Sequence, residues 1–324
     1  MTGFQPAGNI TYHDESGFLL NAYAKLAILM LFEEVGRRMR LAGVRANRDM
    51  SQHFLTDDTV LGMIIRKSEK LVDGVVVEIG AGLGTLTEAL CKRAKSVIAY
   101  EPDEKMARFL MSVLPPKFKN LEIREKFINR YELDRLVEEL APTKFSLVSN
   151  LPYSITSEFL LWLIANSGKV LGAVIMIQNE VAKRLTASPG SKAYGALSVF
   201  AQTFVSVNEI MFVPRTAFYP VPQVDSALVS IYALPNQPSV KDWDKYFRLI
   251  SGAFKHRRKT ISNAIGITFP HLNRTQILKV LSRVNILADR RGDTLSREEF
   301  LALSDELTRT RKVEGTIHPP DIEL

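Results

Sequence analysis

The segment from residue 75 to residue 91 constrains the fold more than any other part of the chain. Val75–Ile79 is an apolar run of strand length, Gly80–Gly84 predicts a tight turn, and Thr85–Cys91 predicts a helix. Glycines allow the backbone to approach a ligand closely, and a helix N-terminus favours negative charge. A dinucleotide-binding fingerprint would place glycine at position 85, where this chain has threonine. The segment therefore predicts the opening of an α/β domain with a different ligand at the turn.

Strands and helices go on alternating after this unit. The next strand is predicted at Ser96–Tyr100, and further elements follow near Leu121–Ile123, Tyr131–Leu140, Phe145–Ser149, Ser157–Ala165 and Leu171–Ile177. Such alternation predicts a parallel, doubly wound sheet. Asn208–Val213 and Val224–Ala233 predict a closing hairpin of strands. The connection between them, Pro214–Pro222, is too long and too rich in aromatic residues for a simple turn.

Two polar positions follow predicted strands. Glu101 comes directly after the second strand, where a carboxylate can bind both hydroxyls of a ribose; the alternative is a surface glutamate that opens a helix. Asn150-Leu-Pro-Tyr153 ends the strand at Phe145–Ser149. It offers a side-chain oxygen, a backbone carbonyl and a flat ring, which suit a planar aromatic amine. The alternative for this segment is a strand that leads into a proline turn.

Beyond Pro235–Pro238, which predicts a linker, the chain reads as helical. Trp243–Phe254 and Arg274–Leu281 have apolar residues at helical spacing, and Ser296–Glu299 is a capping-box pattern. No acidic residue interrupts the cationic residues between positions 248 and 263, which are Arg248, Lys255, Arg257, Arg258 and Lys259. They form either a solvated helix face or a nucleic-acid contact, and the net charge of +7 favours a polyanionic partner, either nucleic acid or an acidic membrane surface.

The remaining composition excludes several protein classes. The single cysteine, Cys91, excludes an intramolecular disulfide, and the five scattered histidines lack metal-ligand spacing, so we expect no metal site. Phe18–Phe32 is too short for a comfortable membrane span and lacks the features of a secretory signal. We expect a helix packed on the main domain there, no membrane contact and a cytoplasmic protein. Nearby arginines from Arg37 to Arg48 form a solvated or phosphate-contacting face.

These motifs resemble the ribosomal RNA adenine N6,N6-dimethyltransferase family over residues 48–305. No single stretch is decisive, but their order and spacing are specific. Arg45 and the residues before it resemble the archaeal branch most. The matching stretches are Ser51–Leu55, Glu78–Gly84, Tyr100–Asp103, Asn150–Tyr153, Gln178–Arg184, Ser191–Gly195, Leu197–Val199, Ala217–Ser226 and Phe254–Thr260.

The resemblance implies a Rossmann-like S-adenosylmethionine-dependent methyltransferase domain at residues 47–236. It would follow a helical extension at 1–46 and precede a small helical RNA-binding domain at 237–308 and a flexible tail at 309–324. The implied cofactor-binding residues are Gln52, His53 and Leu55 over the methionine part, Gly80 and Gly82 along the cofactor, Glu101 on its ribose, and Asn150.

The resemblance also implies how the substrate is held. Asn150 and the Leu151–Pro152 backbone would accept hydrogen bonds from an adenine amine, and Tyr153 would stack on the base. Phe218 would close the other face of the base. The implied RNA-contacting cations are Lys255, Arg257, Arg258 and Lys259.

This chain departs from the family pattern at two positions. Ser51 stands where the family usually has glycine. The family usually has a Gly-Asp pair whose carboxylate binds the adenine amine of the cofactor, whereas this chain reads Arg-Glu-Lys-Phe at residues 124–127. Glu125 could substitute from a shifted position, and we expect weaker cofactor binding when RNA is absent.

The implied activity is dimethylation of two adjacent adenines in a loop near the 3′ end of small-subunit ribosomal RNA. The partner would be this RNA or the immature small subunit during ribosome biogenesis, and the enzyme would be a monomer. Two alternatives remain open. One is a large-subunit rRNA adenine methylase of the resistance type, and the other is a non-catalytic RNA-binding assembly factor, which the missing aspartate would favour.

Overall fold

The computed structural model describes residues 31–44 and 52–309. The strands are β1 Phe54–Leu55, β2 Val75–Ile79, β3 Ser96–Tyr100, β4 Leu121–Arg124, β5 Phe145–Asn150, β6 Val170–Gln178, β7 Val205–Val213, β8 Phe218–Tyr219 and β9 Ser226–Ala233. The helices are α1 at 31–42, α2 Asp58–Lys67, α3 Thr85–Cys91, α4 Glu104–Val113, α5 Arg130–Leu140, α6 Thr156–Ala165, α7 Asn179–Thr186, α8 Ala196–Phe204, α9 Trp243–Lys255, α10 Ile261–Thr268, α11 Arg274–Arg283 and α12 Arg297–Arg309.

A seven-stranded sheet in the order β4-β3-β2-β5-β6-β9-β7 forms the centre of the molecule. The strands from β4 to β6 run parallel, whereas β9 runs antiparallel to both β6 and β7. The predicted α/β fold is therefore confirmed, and the closing hairpin is the β7–β9 pair. From β2 the sheet grows in one direction through β3 to β4, and the chain then returns to place β5 on the other side of β2. In such sheets the loops at the carboxyl ends of the central strands form a ligand-binding crevice.

The central strands are largely apolar because helices cover both faces of the sheet. Successive side chains of a strand point to opposite faces. Val77 and Leu147 accordingly belong to one buried cluster, whereas Val76 and Val148 belong to another. The parallel pairing of β2 with β5 places the Gly80–Gly84 turn beside the end of β5.

The connection between β7 and β9 is more than a turn, as the sequence predicts. It contains the short helix Arg215–Ala217 and then β8, which pairs antiparallel with β1 through Phe54↔Tyr219 and Leu55↔Phe218. Thr56 strengthens the contact, because its backbone N–H donates to Ala217 O at 2.8 Å. The pairing brings Phe218 and the segment at residues 52–55 together above the carboxyl ends of the central strands.

The helices after residue 237 share a core with the sheet domain. Tyr246 of α9 shares a hydrogen bond with Thr203 of α8, with 2.8 Å between the two hydroxyl oxygens. Gln237 in the predicted linker donates to Ser167 Oγ at 2.7 Å and to Phe204 O at 2.9 Å. The linker is thus anchored, and one hydrophobic cluster runs from the sheet through α8 and α9 to α12.

Several expectations concern the ends of the chain and its composition. The predicted capping box is confirmed, because Ser296 N donates to Glu299 Oε2 at 2.7 Å and Glu299 N donates to Ser296 Oγ at 3.2 Å. Most of the apolar segment at Phe18–Phe32, Arg45, Ser51 and the tail from residue 310 lie outside the described residues. Within the described ranges, no helix is long and apolar enough to cross a membrane, and no cluster of three or more histidine, cysteine or acidic residues could hold a metal ion.

Two helical glycines provide a test of how closely α9 packs against its neighbour. A Cβ added at Gly252 of α9 would overlap Thr268 Oγ1 and lie 3.0 Å from Thr268 Cβ, whereas one added at Gly266 of α10 would lie 3.5 Å from Ile277 Cδ1. We expect Gly252→Ala to lower the free energy of unfolding by about 1–3 kcal/mol through overpacking. Gly266→Ala should raise it by up to about 1 kcal/mol, because alanine favours the helix. Urea unfolding of both variants checks this prediction, and equal effects would contradict the close packing.

Candidate functional site

A cavity of about 340 Å³ opens at the carboxyl ends of β2, β3 and β5. It gathers side chains and backbone from segments that are far apart in the sequence, which the sheet topology brings to one edge. All the residues predicted for the cofactor and for the target base line it, namely Gln52, His53, Leu55, Gly80, Gly82, Glu101, Asn150, Leu151, Pro152, Tyr153 and Phe218.

The glycine turn forms the floor of this cavity in a conformation that favours glycine. Gly80, Gly82 and Gly84 have φ values of 77°, 57° and 78°, in the left-handed region. A Cβ at Gly80 would lie 3.0 Å from Pro152 Cγ, so the turn touches the Asn-Leu-Pro-Tyr segment directly. A Cβ at Gly82 would lie 3.3 Å from Phe54 Cε1. Side chains at these positions would separate the turn from its neighbours and fill the cavity.

The Glu101 carboxylate holds the turn from the end of β3. Its Oε2 accepts from Gly82 N at 2.6 Å, and its Oε1 accepts from Asp103 N at 2.9 Å. Burial raises the pKa of Glu101, while these two N–H groups lower it. Each carboxylate oxygen has a further lone pair, so Glu101 can also accept from a ligand hydroxyl. The alternative of a surface glutamate is excluded, because Glu101 is 5% exposed.

The Asn150 side chain is oriented by the segment that carries His53. Asn150 Nδ2 donates to His53 O at 3.4 Å, which directs Oδ1 away from that carbonyl. The Pro152 carbonyl is occupied, since it accepts from Ile155 N at 3.2 Å and from Thr156 Oγ1 at 3.1 Å. Neither Asn150 Oδ1 nor Leu151 O accepts a hydrogen bond from a described residue. Two acceptors therefore stand unused at the cavity.

The Tyr153 side chain is held at its hydroxyl and lies near the His53 ring. Its hydroxyl shares a hydrogen bond with Ser226 Oγ at 2.8 Å, and burial raises the pKa of this phenol. The His53 ring lies 6.0 Å from the Tyr153 ring between centroids, at an interplanar angle of 34°. His53 Nδ1 is 2.7 Å from Pro220 O, so this nitrogen carries the proton and donates it. Phe218 is buried beside this group at the cavity wall.

Some lining residues were not predicted from the sequence. Asp103, Met106 and Ile128 line the cavity, and Gln52 Nε2 donates to Asp103 Oδ2 at 3.4 Å. Glu78 lines it as well, and its Oε2 is buried without a hydrogen-bond partner among the described residues. Burial, with a further contribution from Glu101, raises the pKa of Glu78 to about 8. A glutamate inside an otherwise apolar strand was the available signal for this residue.

The segment that lacks the family aspartate lies at the same cavity. Lys126 and Phe127 line the cavity, whereas Glu125 is exposed and lines a neighbouring polar depression. Arg124 is held there by Glu139, at 2.5 Å between Nη2 and Oε1. The expectation that Glu125 substitutes for the aspartate is therefore not supported. An aromatic and an ammonium group occupy this part of the wall instead.

The groups that line the cavity fit a nucleoside that carries an amino-acid-like extension. Glu101 can accept from ribose hydroxyls, and the glycine turn permits close backbone approach. The buried Oε2 of Glu78 has no partner among the described residues, so this carboxyl can hydrogen-bond to a bound ligand or water. Apolar side chains of Phe54, Met106 and Ile128 complete the wall.

A family model described as ribosomal RNA adenine dimethylase matches residues 43–307. The chain belongs to the ribosomal RNA adenine dimethylase family. It is 37% identical over 271 residues to ribosomal RNA small subunit methyltransferase A of Geobacillus sp. (strain WCH70), with 82% of this chain and 92% of the relative covered. The corresponding protein of Bacillus mycoides (strain KBAB4) is 38% identical over 275 residues, with the same shares of both chains covered.

Solved structures agree with the family assignment. A dimethyladenosine transferase from Plasmodium falciparum superposes with a TM-score of 0.68 at 26% identity, covering 79% of this chain and 98% of that one. The 23S rRNA methyltransferase ErmE superposes with a TM-score of 0.58 at 24% identity, covering 79% and 99%. The second likeness shows the fold alone. As a member of the adenine dimethylase family, the chain is an S-adenosylmethionine-dependent methyltransferase.

The predicted basic stretch of this adenine dimethylase separates into two kinds of residue. Arg257 donates to Asp293 Oδ2 at 2.8 Å and to the carbonyl oxygens of Ser191 and Lys192 at 2.9 and 3.1 Å. It therefore joins the loop before α8 to the helices after residue 237. Arg248 is also engaged, lying 5.1 Å from the centroid of the Phe269 ring.

The other three cations of the stretch have no such partners. Lys255, Arg258 and Lys259 are exposed, and no described acidic side chain pairs with them. They remain free to contact phosphates, whereas the donors of Arg257 are already used inside the protein.

The raised pKa of Glu78 predicts a pH dependence of stability. The folded protein keeps this proton up to about pH 8, whereas the unfolded chain releases it near the ordinary value of 4.5. The free energy of unfolding therefore falls as pH rises between these values. We expect Glu78→Gln to gain stability relative to the parent with rising pH, by at most about 1.4 kcal/mol per unit. Urea unfolding between about pH 5 and pH 8.5 measures this difference, and a constant difference would contradict it.

Proposed function

We propose that this enzyme transfers methyl groups from S-adenosylmethionine to the N6 amines of two adjacent adenines in a loop near the 3′ end of small-subunit ribosomal RNA. The observation that carries the proposal is the pair of unused acceptors, Asn150 Oδ1 and Leu151 O, at a cavity suited to the cofactor. The names of the bacterial relatives support the small-subunit target. We further propose that the enzyme acts as a cytoplasmic monomer on the immature subunit during ribosome biogenesis.

The cofactor would be held by residues from four segments. Glu101 would accept from the ribose hydroxyls, and the backbone at Gly80 and Gly82 would lie along the cofactor. Gln52, His53 and Leu55 would cover its methionine part, with Asn150 at the boundary to the substrate. S-adenosylmethionine supplies a methyl group on a sulfonium, which is electrophilic without further activation. The enzyme therefore has to position the amine and exclude competing water.

The adenine amine is a weak nucleophile, because its lone pair is delocalised into the ring. Two acceptors placed on its N–H groups favour a pyramidal nitrogen whose lone pair points away from them. Asn150 Oδ1 and Leu151 O are the available acceptors, since Pro152 O is already bonded to Ile155 and Thr156. No strong base is required, because the product ammonium is acidic and loses its proton to water or a carbonyl. Catalysis would then rest on orientation and electrostatics.

The base would be held between aromatic side chains. Tyr153 offers a ring face whose hydroxyl is held by its bond to Ser226, and Phe218 lines the same cavity. The adenine must leave its stack to enter, which costs little in an RNA loop. Two successive transfers require the site to accept an amine that already carries one methyl group.

The helices after residue 237 would form the RNA-binding part, with the methyltransferase domain at 47–236. Their exposed cations at Lys255, Arg258 and Lys259 support this division, although a continuous core joins the two parts. The likeness to ErmE does not favour a large-subunit target, because at this identity it indicates a shared fold only.

Asn150→Ala tests the proposed mechanism. The change removes one of the two acceptors but leaves the glycine turn and Glu101 in place. We expect methyl transfer to fall by about 100- to 1000-fold, equivalent to about 2.7–4 kcal/mol, as for other lost positioned hydrogen bonds. Cofactor binding by calorimetry should remain largely intact. The assay is tritiated methyl transfer to immature small ribosomal subunits, with Asn150→Asp as a control that keeps an acceptor and adds charge.

An Asn150→Ala variant that methylates as fast as the parent would show that the Asn-Leu-Pro-Tyr segment is a structural turn. The proposed mechanism would then be rejected. A parent protein that binds subunits without methylating them would contradict the proposed small-subunit activity itself.

Charge removal on α9 and the residues after it tests the RNA contact. The combined variant Lys255→Gln, Arg258→Gln and Lys259→Gln should bind RNA more weakly. The slope of log binding constant against log salt concentration should be smaller in magnitude by about 2 to 3. This follows because each phosphate contact releases condensed counterions. RNA binding is measured at several salt concentrations. Its matched control carries glutamine at the exposed lysines Lys67, Lys70 and Lys119, where the slope should change little.

Equal salt slopes of RNA binding for the two triple variants would contradict a specific phosphate contact at Lys255, Arg258 and Lys259. A third variant, Arg257→Gln, should instead lower thermal stability, because it releases the clamp on the loop before α8.

A further inference from the structure

Helix α1 lies before the segment shared with the family, because the family match begins at residue 43. It nevertheless packs against the wall of the cofactor cavity. Leu31 and Val35 form one buried cluster with Phe54, Leu83 and Met106. The last three side chains also line the cavity, so each has one side toward the ligand and another toward α1. The helix is therefore a second layer behind the cofactor site.

One buried arginine makes the polar contacts of this layer. Arg38 is 8% exposed, and its guanidinium has a partner in each direction. Nη1 donates to Leu83 O at 3.0 Å, and Nη2 donates to Glu88 Oε2 at 2.5 Å. Nε donates to Glu34 Oε1 at 2.7 Å within α1 itself. A buried charge is tolerated when it is paired and hydrogen-bonded in this way.

The two partners of Arg38 outside α1 lie just before and just after the point where the glycine turn leads into α3. Leu83 belongs to the Gly80–Gly84 turn, and Glu88 lies on the first turns of α3. A turn with three glycines of positive φ has wide conformational freedom when nothing else holds it. The guanidinium spans the carbonyl of the turn and the helix that follows, and its planar fork fixes the direction of both. Arg38 restrains the turn at Leu83 O, whereas Glu101 holds it at Gly82 N.

We propose that Arg38 is a positioning residue of the cofactor site, which holds the Gly80–Gly84 turn in its binding conformation from outside the family segment. This inference rests on the proposed function, which assigns the cavity to S-adenosylmethionine. Arg38 does not line the cavity, so it acts through Leu83 and Glu88. Without it, cofactor binding would have to order the turn, and the affinity would fall.

The neighbouring residue supplies a matched control. Arg37 pairs with the same Glu34, at 2.7 Å from both Nε and Nη2, and its side chain is 56% exposed. Together the two arginines, Arg37 foremost, lower the pKa of Glu34 to about 2. Arg37 donates no hydrogen bond to Leu83 or Glu88. Arg37→Met and Arg38→Met therefore remove the same charge from the same helix, but only the second releases the turn.

The test is calorimetry with S-adenosylmethionine, joined to steady-state kinetics. We expect Arg38→Met to raise Kd and KM for the cofactor about tenfold, while kcat at saturating cofactor stays within about twofold. Arg37→Met should match the parent in all three quantities. Hydrogen exchange of the cofactor-free protein should be faster at residues 80–88 in Arg38→Met than in Arg37→Met, because these amides belong to the released segment.

Other outcomes overturn the proposal. If Arg38→Met only lowers the melting temperature, with unchanged Kd and unchanged exchange at residues 80–88, Arg38 is a structural residue. Should this variant not fold, Arg38→Lys takes its place. Lysine keeps the charge but lacks the planar fork that fixes the directions of Leu83 and Glu88, so an intermediate rise in Kd supports the proposal and an unchanged Kd contradicts it.

Glu101→Ala, measured in parallel, separates this inference from the proposed function. If Glu101→Ala binds the cofactor as tightly as the parent, the assignment of the cavity fails. If it binds more weakly while Arg38→Met is unaffected, the cavity stands and only the role of Arg38 is rejected.

Discussion

The close approach of Gly80 to Pro152 is the contact on which the arrangement of the site depends. The distance from an added Cβ to Pro152 Cγ would be 3.0 Å, so only a residue without a side chain fits without displacing the proline. The contact exists because β2 and β5 are adjacent parallel strands, and their following loops leave the same edge of the sheet. Backbone packing between these two loops thus fixes the cofactor side of the cavity relative to the proposed substrate side.

Hydrogen bonding within the protein selects which groups are left to act on a ligand. The amide nitrogen of Asn150 is used by His53 O, and the carbonyl of Pro152 is used by the helix that follows it. The oxygens of Asn150 and Leu151 remain. In the proposed mechanism these two acceptors would already be in place when the substrate arrives, which is the condition under which fixed dipoles contribute most to catalysis. The Tyr153 hydroxyl is likewise held by a hydrogen bond to Ser226.

Arginines with the same charge have different roles because their surroundings differ. Arg38 donates to carboxylates and to one distant backbone carbonyl, and Arg257 donates to a carboxylate and to two distant carbonyls, so each joins separate segments of the fold. Arg258 and its lysine neighbours are exposed and suited to a diffuse polyanion. The planar guanidinium fork suits the first role, since it can hold several acceptors in fixed directions. Clustering of positive charge in the sequence does not show which arginines join distant segments and which are exposed.

The sequence by itself determined the main strands of the sheet, several helices and eleven of the residues that line the cavity. Strand length, glycine position and helical spacing are local properties, so the unit from Val75 to Cys91 and the closing strands could be recognised from chain neighbours alone. The order and spacing of motifs such as Asn150–Tyr153 carried the family resemblance, which the match at residues 43–307 confirms.

Only the tertiary structure decided burial and hydrogen-bond partners, because these depend on residues far apart in the chain. It buried Glu78, which raises the pKa of this carboxyl to about 8, and it left Glu125 outside the cavity. It also separated Arg257 from Lys255 and brought Arg38 to a turn that begins 42 positions later in the sequence. Each outcome depends on a contact across the fold, and no local pattern of residue types encodes such contacts.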